Sequence, residues 1–279
     1  MLRRSPEAVL VTHEFDPRRR ELYVEGPGDA IFFRWLTEAT RNQDSLIIAI
    51  ELVDMPLTRH GGNRQRLLDF LSAVEDKAPR IRGFVDKDQD HILCAMEHPS
   101  NSILTDFRDR ESYVLWTANI AKVLSLGAHT DKVTPEDFLA STFSAALLLA
   151  AARLVSIRQD LKLPVSDTGW EKKLKTKDGL VVSVDRSGIL RMLLQNAGLS
   201  LQMLANLEKD VSAAEQELMV WEPQQVMHGK DSMKIIAKQF QSLNVVCEDA
   251  FHLLGPTFNR TEGENQRNLA SAIAFVEGK

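Results

Sequence analysis

Cysteine is nearly missing. The 279 residues contain two, Cys94 and Cys247, whose separation fits no metal-binding pattern. Such scarcity points to a reducing compartment. Tyrosine is as sparse, with Tyr23 and Tyr113 alone, both in apolar, core-like contexts. No apolar run reaches the ~20 residues that span a bilayer. The longest uncharged run, Phe138–Ala152, is rich in alanine and serine and suits a packed core helix. The N-terminal MLRRSPEAVLVTHEFD has basic residues without the apolar segment of a signal peptide. The expectation is a soluble, cytoplasmic protein with no membrane attachment. Excess positive charge is lacking too. Net charge is −5, so composition confers no general affinity for nucleic acid. A phosphodiester substrate would need bound metal and local basic patches. No Walker A motif is present: His228-Gly229-Lys230-Asp231 has no glycine five positions before Gly229 and no Ser or Thr after Lys230.

What is present is enough for one large domain or two small ones, at 44% hydrophobic residues. The informative stretch is Glu21–Phe33, ELYVEGPGDAIFF. Leu22-Tyr23-Val24 reads as a strand that stops at Glu25. Gly26-Pro27-Gly28 turns the chain, and Asp29 opens an apolar helix. A carboxylate at the C-terminal end of a strand points into the crevice where α/β sheets bind ligands. A second such strand end follows at Arg80–Asp90, RIRGFVDKDQD. In extended chain Asp86 and Asp88 project to the same side. Glu25, Asp29, Asp86 and Asp88 are therefore expected around one spot. Like charges repel there, and hard oxygen donors suit Mg²⁺ or Mn²⁺.

Between the two strand ends, 28–41 reads as a helix with Ile31, Phe32, Trp35, Leu36 and Ala39 on one face. Ser45–Val53 is a nearly all-apolar strand, Leu57–Asn63 a loop, and Arg64–Lys77 a second helix. The order β-α-β-α-β signals a mainly parallel sheet. Arg18-Arg19-Arg20 is a basic cluster, either a solvated loop or a phosphate contact. A short strand follows at Ser102–Thr105, then Asp106, Asp109 and Glu111 at a helix start near Arg110. Thr134-Pro135-Glu136-Asp137 predicts a capped helix running to about Asp160. A strand at Leu180–Val184 and helices at Ser187–Asn196 and Leu199–Trp221 come next. Val226-Met227 reads as a brief strand, followed by a His228-Gly229 turn and a helix over Met233–Gln241. A Gly-Pro turn at 255–256 and a closing helix near Asn268–Val276 complete the chain.

The VEG-P-G-D segment followed by a D-K-D strand end resembles the TOPRIM domain of topoisomerases, primases and overcoming-lysogenization-defect (OLD) nucleases. Glu25, Asp86 and Asp88 fall on its metal-binding positions, and Asp29 matches the extra acid of OLD-type nucleases. Glu111-Ser112-Tyr113 resembles a segment that follows the Asp pair in one subgroup, which makes Glu111 either a further metal ligand or a plain capping acid. The HGKD turn resembles a late turn of the same subgroup. The resemblance, which covers mainly 20–115 and 226–240, implies a TOPRIM-like mainly parallel α/β sheet flanked by helices. The run of helices places a mostly helical insertion over 134–222, with the α/β core in 1–133 before it and 223–279 returning to the sheet. The resemblance also implies metal-dependent phosphodiester cleavage with Glu25, Asp86 and Asp88 as ligands. In that scheme Lys230 neutralises transition-state charge and His228 assists proton transfer; the alternatives are a solvated lysine and a satisfied turn histidine. Without an ATPase of its own, the chain is similar to the small TOPRIM-like effectors of anti-phage operons, notably that of the PARIS system. That likeness implies a toxic nuclease acting on RNA such as tRNA, or on DNA. A separately encoded ABC-type ATPase would restrain it, and it would be a homodimer when active. A repair nuclease and a non-catalytic regulatory module of the same fold stand as alternatives.

Overall fold

The computed structural model describes residues 3–55, 62–93, 97–130, 132–167 and 169–279. Cys94 and most of the loop expected at 57–63 lie outside them. The chain divides into two compact units, Met1–Asp106 with Arg260–Lys279, and Phe107–Asn259. The expected boundaries at 133 and 222 are therefore not where the chain divides.

The first unit is an α/β layer. Its strands are β1 (Arg20–Val24), β2 (Ser45–Ala49), β3 (Ile81–Val85) and β4 (Ser102–Leu104), all parallel, in the order β2-β1-β3-β4. Helices α1 (Pro6–Phe15), α2 (Pro27–Leu36) and α3 (Asn63–Val74) and the C-terminal helix Arg267–Glu277 flank the sheet. Strand β1 is central, and Leu22, Tyr23 and Val24 are fully buried, as a parallel strand covered on both faces requires. Alternation sends Tyr23 to one side, where it meets Phe70 of α3 at 4.4 Å between ring centroids. Phe84 of β3 meets Phe33 of α2 edge-on at 4.8 Å. Gly83 lies under Leu71, whose side chain occupies the space a Cβ there would need.

Two local readings are corrected. Strand β2 ends at Ala49 and passes into a 3₁₀ turn, Ile50–Leu52, instead of running to Val53. Its partner β1 ends at the paired Val24, so nothing continues the ladder. Helix α2 buries Ala30, Phe32, Phe33 and Leu36, while Ile31 and Trp35 are 64% and 48% exposed. The sheet takes the Phe33 face, and the helix stops at Leu36, before Ala39.

The N-terminal end of β1 carries a buried ionic network. The Glu21 carboxylate accepts from Arg19 Nε at 2.6 Å, Arg4 Nη1 at 3.0 Å and the Tyr23 hydroxyl at 2.5 Å. It lies at the edge opposite the strand ends that carry Glu25 and Asp86.

The second unit is mostly helical. It comprises α4 (Arg110–Thr117), α5 (Pro135–Arg158), the antiparallel hairpin β5 (Leu174–Lys177) and β6 (Leu180–Val184), α6 (Arg186–Asn196), α7 (Leu204–Leu218) and α8 (Gly229–Ser242), with shorter turns between them. The Thr134 hydroxyl accepts from Asp137 N–H and starts α5 where the sequence places it. Among the described residues α5 is the one helix long and apolar enough to cross a membrane, and most of that stretch is buried within the protein. Helix α7 buries Leu207, Val211, Ala214 and Leu218 along one face, whereas Leu201, inside the helix expected from Leu199, precedes it and is exposed. The strand expected at Val226-Met227 does not form. Pro223–Val226 is a helical turn, and both residues are fully buried plugs. Two apolar residues serve either purpose, and periodicity cannot separate them. Residues 223–259 thus belong to the second unit and add no strand to the four-stranded sheet.

Candidate functional site

The strand ends of the first unit meet as the sequence implies. Glu25 follows β1, Asp86 follows the adjacent β3, and the Asp86 N–H donates to Glu25 Oε1 at 2.9 Å. Glu25 keeps a solvent-facing edge, yet protein encloses most of its carboxylate. Burial pushes its pKa up, and the charges of Asp88 and Asp29 add to that. The Asp86 N–H and the Arg64 charge oppose the shift without cancelling it, and the pKa rests at about 8.

The other acids do not close around Glu25 as expected. Asp29 Oδ2 turns back to accept from Gly26 N–H at 2.9 Å, capping its own helix. Asp88 adopts a left-handed backbone, φ 51°, so the chain is not extended there and the same-side argument for Asp86 and Asp88 fails. Arg64, in the first turn of α3, takes up much of the acidic charge. Its Nε donates to the Asp86 carbonyl at 2.9 Å and stands 3.4 Å from Asp88 Oδ2, and its Nη2 bonds Asp90 Oδ2. His98 Nε2 lies 3.1 Å from the same Asp90 oxygen. Among the described residues, no three His, Cys, Asp or Glu side chains stand together as a metal-ligand set. Mg²⁺ asks for less, since it is held by one or two carboxylates with waters and substrate phosphates. The oxygen-only donors at these strand ends, and a carboxylate whose pKa is raised by burial and then by the Asp88 and Asp29 charges, fit such an ion in kind.

Arg64, Asp90, Lys87 and His98 were not foreseen as part of this crevice. Lys87 donates from Nζ to the Asp106 carbonyl at 3.1 Å, and burial lowers its pKa. Asp90 stands in the same D-K-D-Q-D string as the expected acids, and that was its signal. Arg64 had none, because its partners lie more than 20 residues away in sequence.

Glu111, His228 and Lys230 belong to the second unit. There the HGKD turn docks on the start of α4. Asp109 caps α4 by accepting from Ser112 N–H at 3.0 Å and the Ser112 hydroxyl at 2.7 Å, and its other oxygen accepts from Gly229 N–H at 2.7 Å. One carboxylate thus joins the N-termini of α4 and α8. Burial, then the Glu111 charge, pushes the Asp109 pKa up to about 6. Glu111 itself is buried and bonded to Arg110 Nη2 at 2.5 Å. His228 precedes α8, and burial together with Arg153, Arg108, Lys230 and Lys234 drives its pKa well below the usual histidine value. It is neutral near pH 7, so proton donation from it is disfavoured. Asp231, one turn into α8, forms a two-point pair with Arg153, 2.5 and 3.2 Å. Lys230 is exposed.

A Cβ at Gly229 would collide with Asp109 Oδ1 and Glu111 Cβ and press on Ser112 N at 3.0 Å. Gly229→Ala therefore forces α4 and α8 apart. The expected loss is about 1–3 kcal/mol, the range for overpacking a tight core. Urea denaturation followed by circular dichroism measures it, and an unchanged midpoint would show that the contact yields freely.

No protein-family model matches this chain, and no curated protein does.

Proposed function

We propose that the protein is a TOPRIM-like, divalent-metal-dependent nuclease. The observation that carries this reading is Glu25: a carboxylate at the C-terminal end of the central parallel strand, hydrogen-bonded to the Asp86 backbone of the next strand, with its pKa pushed up to about 8 by burial and by Asp88 and Asp29. Perturbed acids of this kind concentrate at functional sites. Glu25, Asp86 and Asp88 would hold Mg²⁺ or Mn²⁺. When bound, the ion polarises a phosphoryl oxygen and lowers the pKa of an attacking water. Glu25 would give up its proton to bind, Asp29 orders the Gly26 turn that aims it, and Arg64 holds the Asp86–Asp90 segment.

The finer reading rests on the resemblance alone: a toxic effector that cuts RNA such as tRNA, or DNA, restrained by a separately encoded ABC-type ATPase and dimeric once released. A second reading, a non-catalytic binding module of the same fold, draws on Arg64, which pairs with Asp88 and Asp90.

The test combines cleavage and proton release. Mn²⁺ is titrated into the protein at pH 7 in buffers of different ionisation enthalpy, and about one proton per ion is expected to be released as Glu25 ionises. Single-stranded RNA and DNA are then incubated with Mg²⁺, Mn²⁺ or chelator, with and without the co-expressed ATPase. Cleavage that requires metal supports the nuclease. Neither proton release nor cleavage leaves the binding-module reading in its place.

A further inference from the structure

The first unit carries a groove of about 600 Å³ away from the Glu25 crevice, between β3–β4 and the C-terminal helix. Its charge runs against that of the chain. Arg82, Arg267 and Lys279 line it, and among the described residues no Asp or Glu does, although the whole protein is at −5. Arg82 stands on β3, half-buried, and donates to the Ser100 carbonyl at 3.2 Å. Arg267 opens the C-terminal helix and is exposed. Lys279 follows the last turn and is paired with Glu277 at 2.6 Å.

The cations are spaced along the groove. Arg267 and Lys279 sit at opposite ends of the helix, about 18 Å apart at 1.5 Å rise per residue. Between them the floor is apolar, with Ile103, Leu104 and Phe275. Phe275 is held in place because Arg20 lies over its ring at 5.7 Å and donates to its carbonyl at 3.3 Å. The Asp106 carboxylate accepts from Asn268 N–H at 2.9 Å and Leu269 N–H at 3.0 Å, which ties the helix start to the residue just beyond β4. The groove walls are therefore rigid where Arg267 is presented.

We infer that this groove binds the sugar–phosphate backbone of a single-stranded nucleic acid. Cations at both ends of a trough match several consecutive phosphates. An apolar floor with one aromatic ring between them offers a surface to the bases. An acidic peptide shares the charge but lacks the regular repeat of one phosphate per nucleotide along its backbone. This inference deepens the nuclease reading, since it names the substrate class and a binding surface outside the metal crevice.

The experiment separates the two. Fluorescence anisotropy with a labelled single-stranded 15-mer, RNA and DNA in parallel, is measured in chelator so that cleavage plays no part. The parent and the double variant Arg82→Ala/Arg267→Ala are compared at several salt concentrations, with thermal melting as the fold control. The double variant is expected to bind at least roughly 10-fold more weakly, with the slope of log K against log salt reduced by about 1.4, two phosphate contacts at ~0.7 each. Equal binding by the two proteins overturns the inference. So does a parent that binds no oligonucleotide, or one that binds a labelled poly-glutamate peptide more tightly than either strand. Loss of binding in the double variant, with no metal-dependent cleavage by the parent, keeps the groove and rejects the nuclease. Metal-dependent cleavage with an unaffected double variant does the reverse.

Discussion

Replacing Glu25 by Gln is expected to lower Mg²⁺- or Mn²⁺-dependent cleavage by at least roughly 100-fold, because loss of a group one step further from a metal already costs 10–100-fold. The same change is expected to raise the melting temperature at pH 8. Folded protein holds the Glu25 proton up to about pH 8, whereas the unfolded chain releases it near the ordinary value of 4.5. Between those limits the folded state binds more protons, so stability falls as pH rises through the window. The accumulated cost is on the order of 4 kcal/mol at its upper end. Gln carries no proton and has nearly the same shape, so the variant loses this slope. Its melting curve converges on that of the parent near pH 4.5 and lies above it at pH 8. Added Mn²⁺ stabilises the parent and leaves the variant unmoved. The measurements are scanning calorimetry from pH 4.5 to 8 with and without Mn²⁺, and oligonucleotide cleavage. A variant that cleaves as well as the parent ends the metal-nuclease reading.

Replacing Glu21 by Gln is expected to destabilise the first unit by about 3 kcal/mol at pH 7 and to leave metal binding intact. Burial by itself would raise the Glu21 pKa. His13, the Tyr23 hydroxyl and the Arg4 charge together outweigh it and pull the value to about 2. The His13 ring is the largest of these opposing influences, with its Nε2 3.6 Å from the carboxylate. A carboxylate with a depressed pKa stabilises the fold above its unfolded value of 4.5, and that contribution disappears as pH falls through about 2. A depression of some 2.5 units at 1.36 kcal/mol each sets the ~3 kcal/mol. Removing one member of a buried network also leaves its partners unsatisfied, here the Tyr23 hydroxyl above all. Urea denaturation at pH 7 and pH 3 should show the gap between parent and variant narrowing to about half or less at the lower pH. Equal stability at pH 7 would show that Arg4 and Arg19 hold the N-terminal segment without their carboxylate.

The two acids stand at opposite ends of one strand and have opposite fates. Glu21 meets two arginines and a tyrosine hydroxyl and is locked as an anion. Glu25 is largely enclosed, accepts one backbone N–H and feels the charges of Asp88 and Asp29, and is held as an acid. Surroundings set the chemistry of the identical side chain: the first environment stabilises charge and the second disfavours it.

How much of this could be read from the chain depends on the range of the forces involved. Strands at Glu25 and Asp86, the parallel β-α-β-α-β order and the Thr134-Pro135 helix start are written in residues a few positions apart. Caps, turns and apolar alternation act over that distance, so the sequence alone determined them. Tertiary packing decided everything that needed a distant partner. It placed Arg64 across from Asp86 and Asp90, and it turned the Phe33 face of α2, rather than the Trp35 face, onto the sheet. It used Val226 and Met227 as plugs instead of a strand, and it set Asp109 against Gly229, 120 residues away. Those outcomes turn on which surfaces exclude water together and which buried donors find acceptors, and neither is encoded in any short window of the chain.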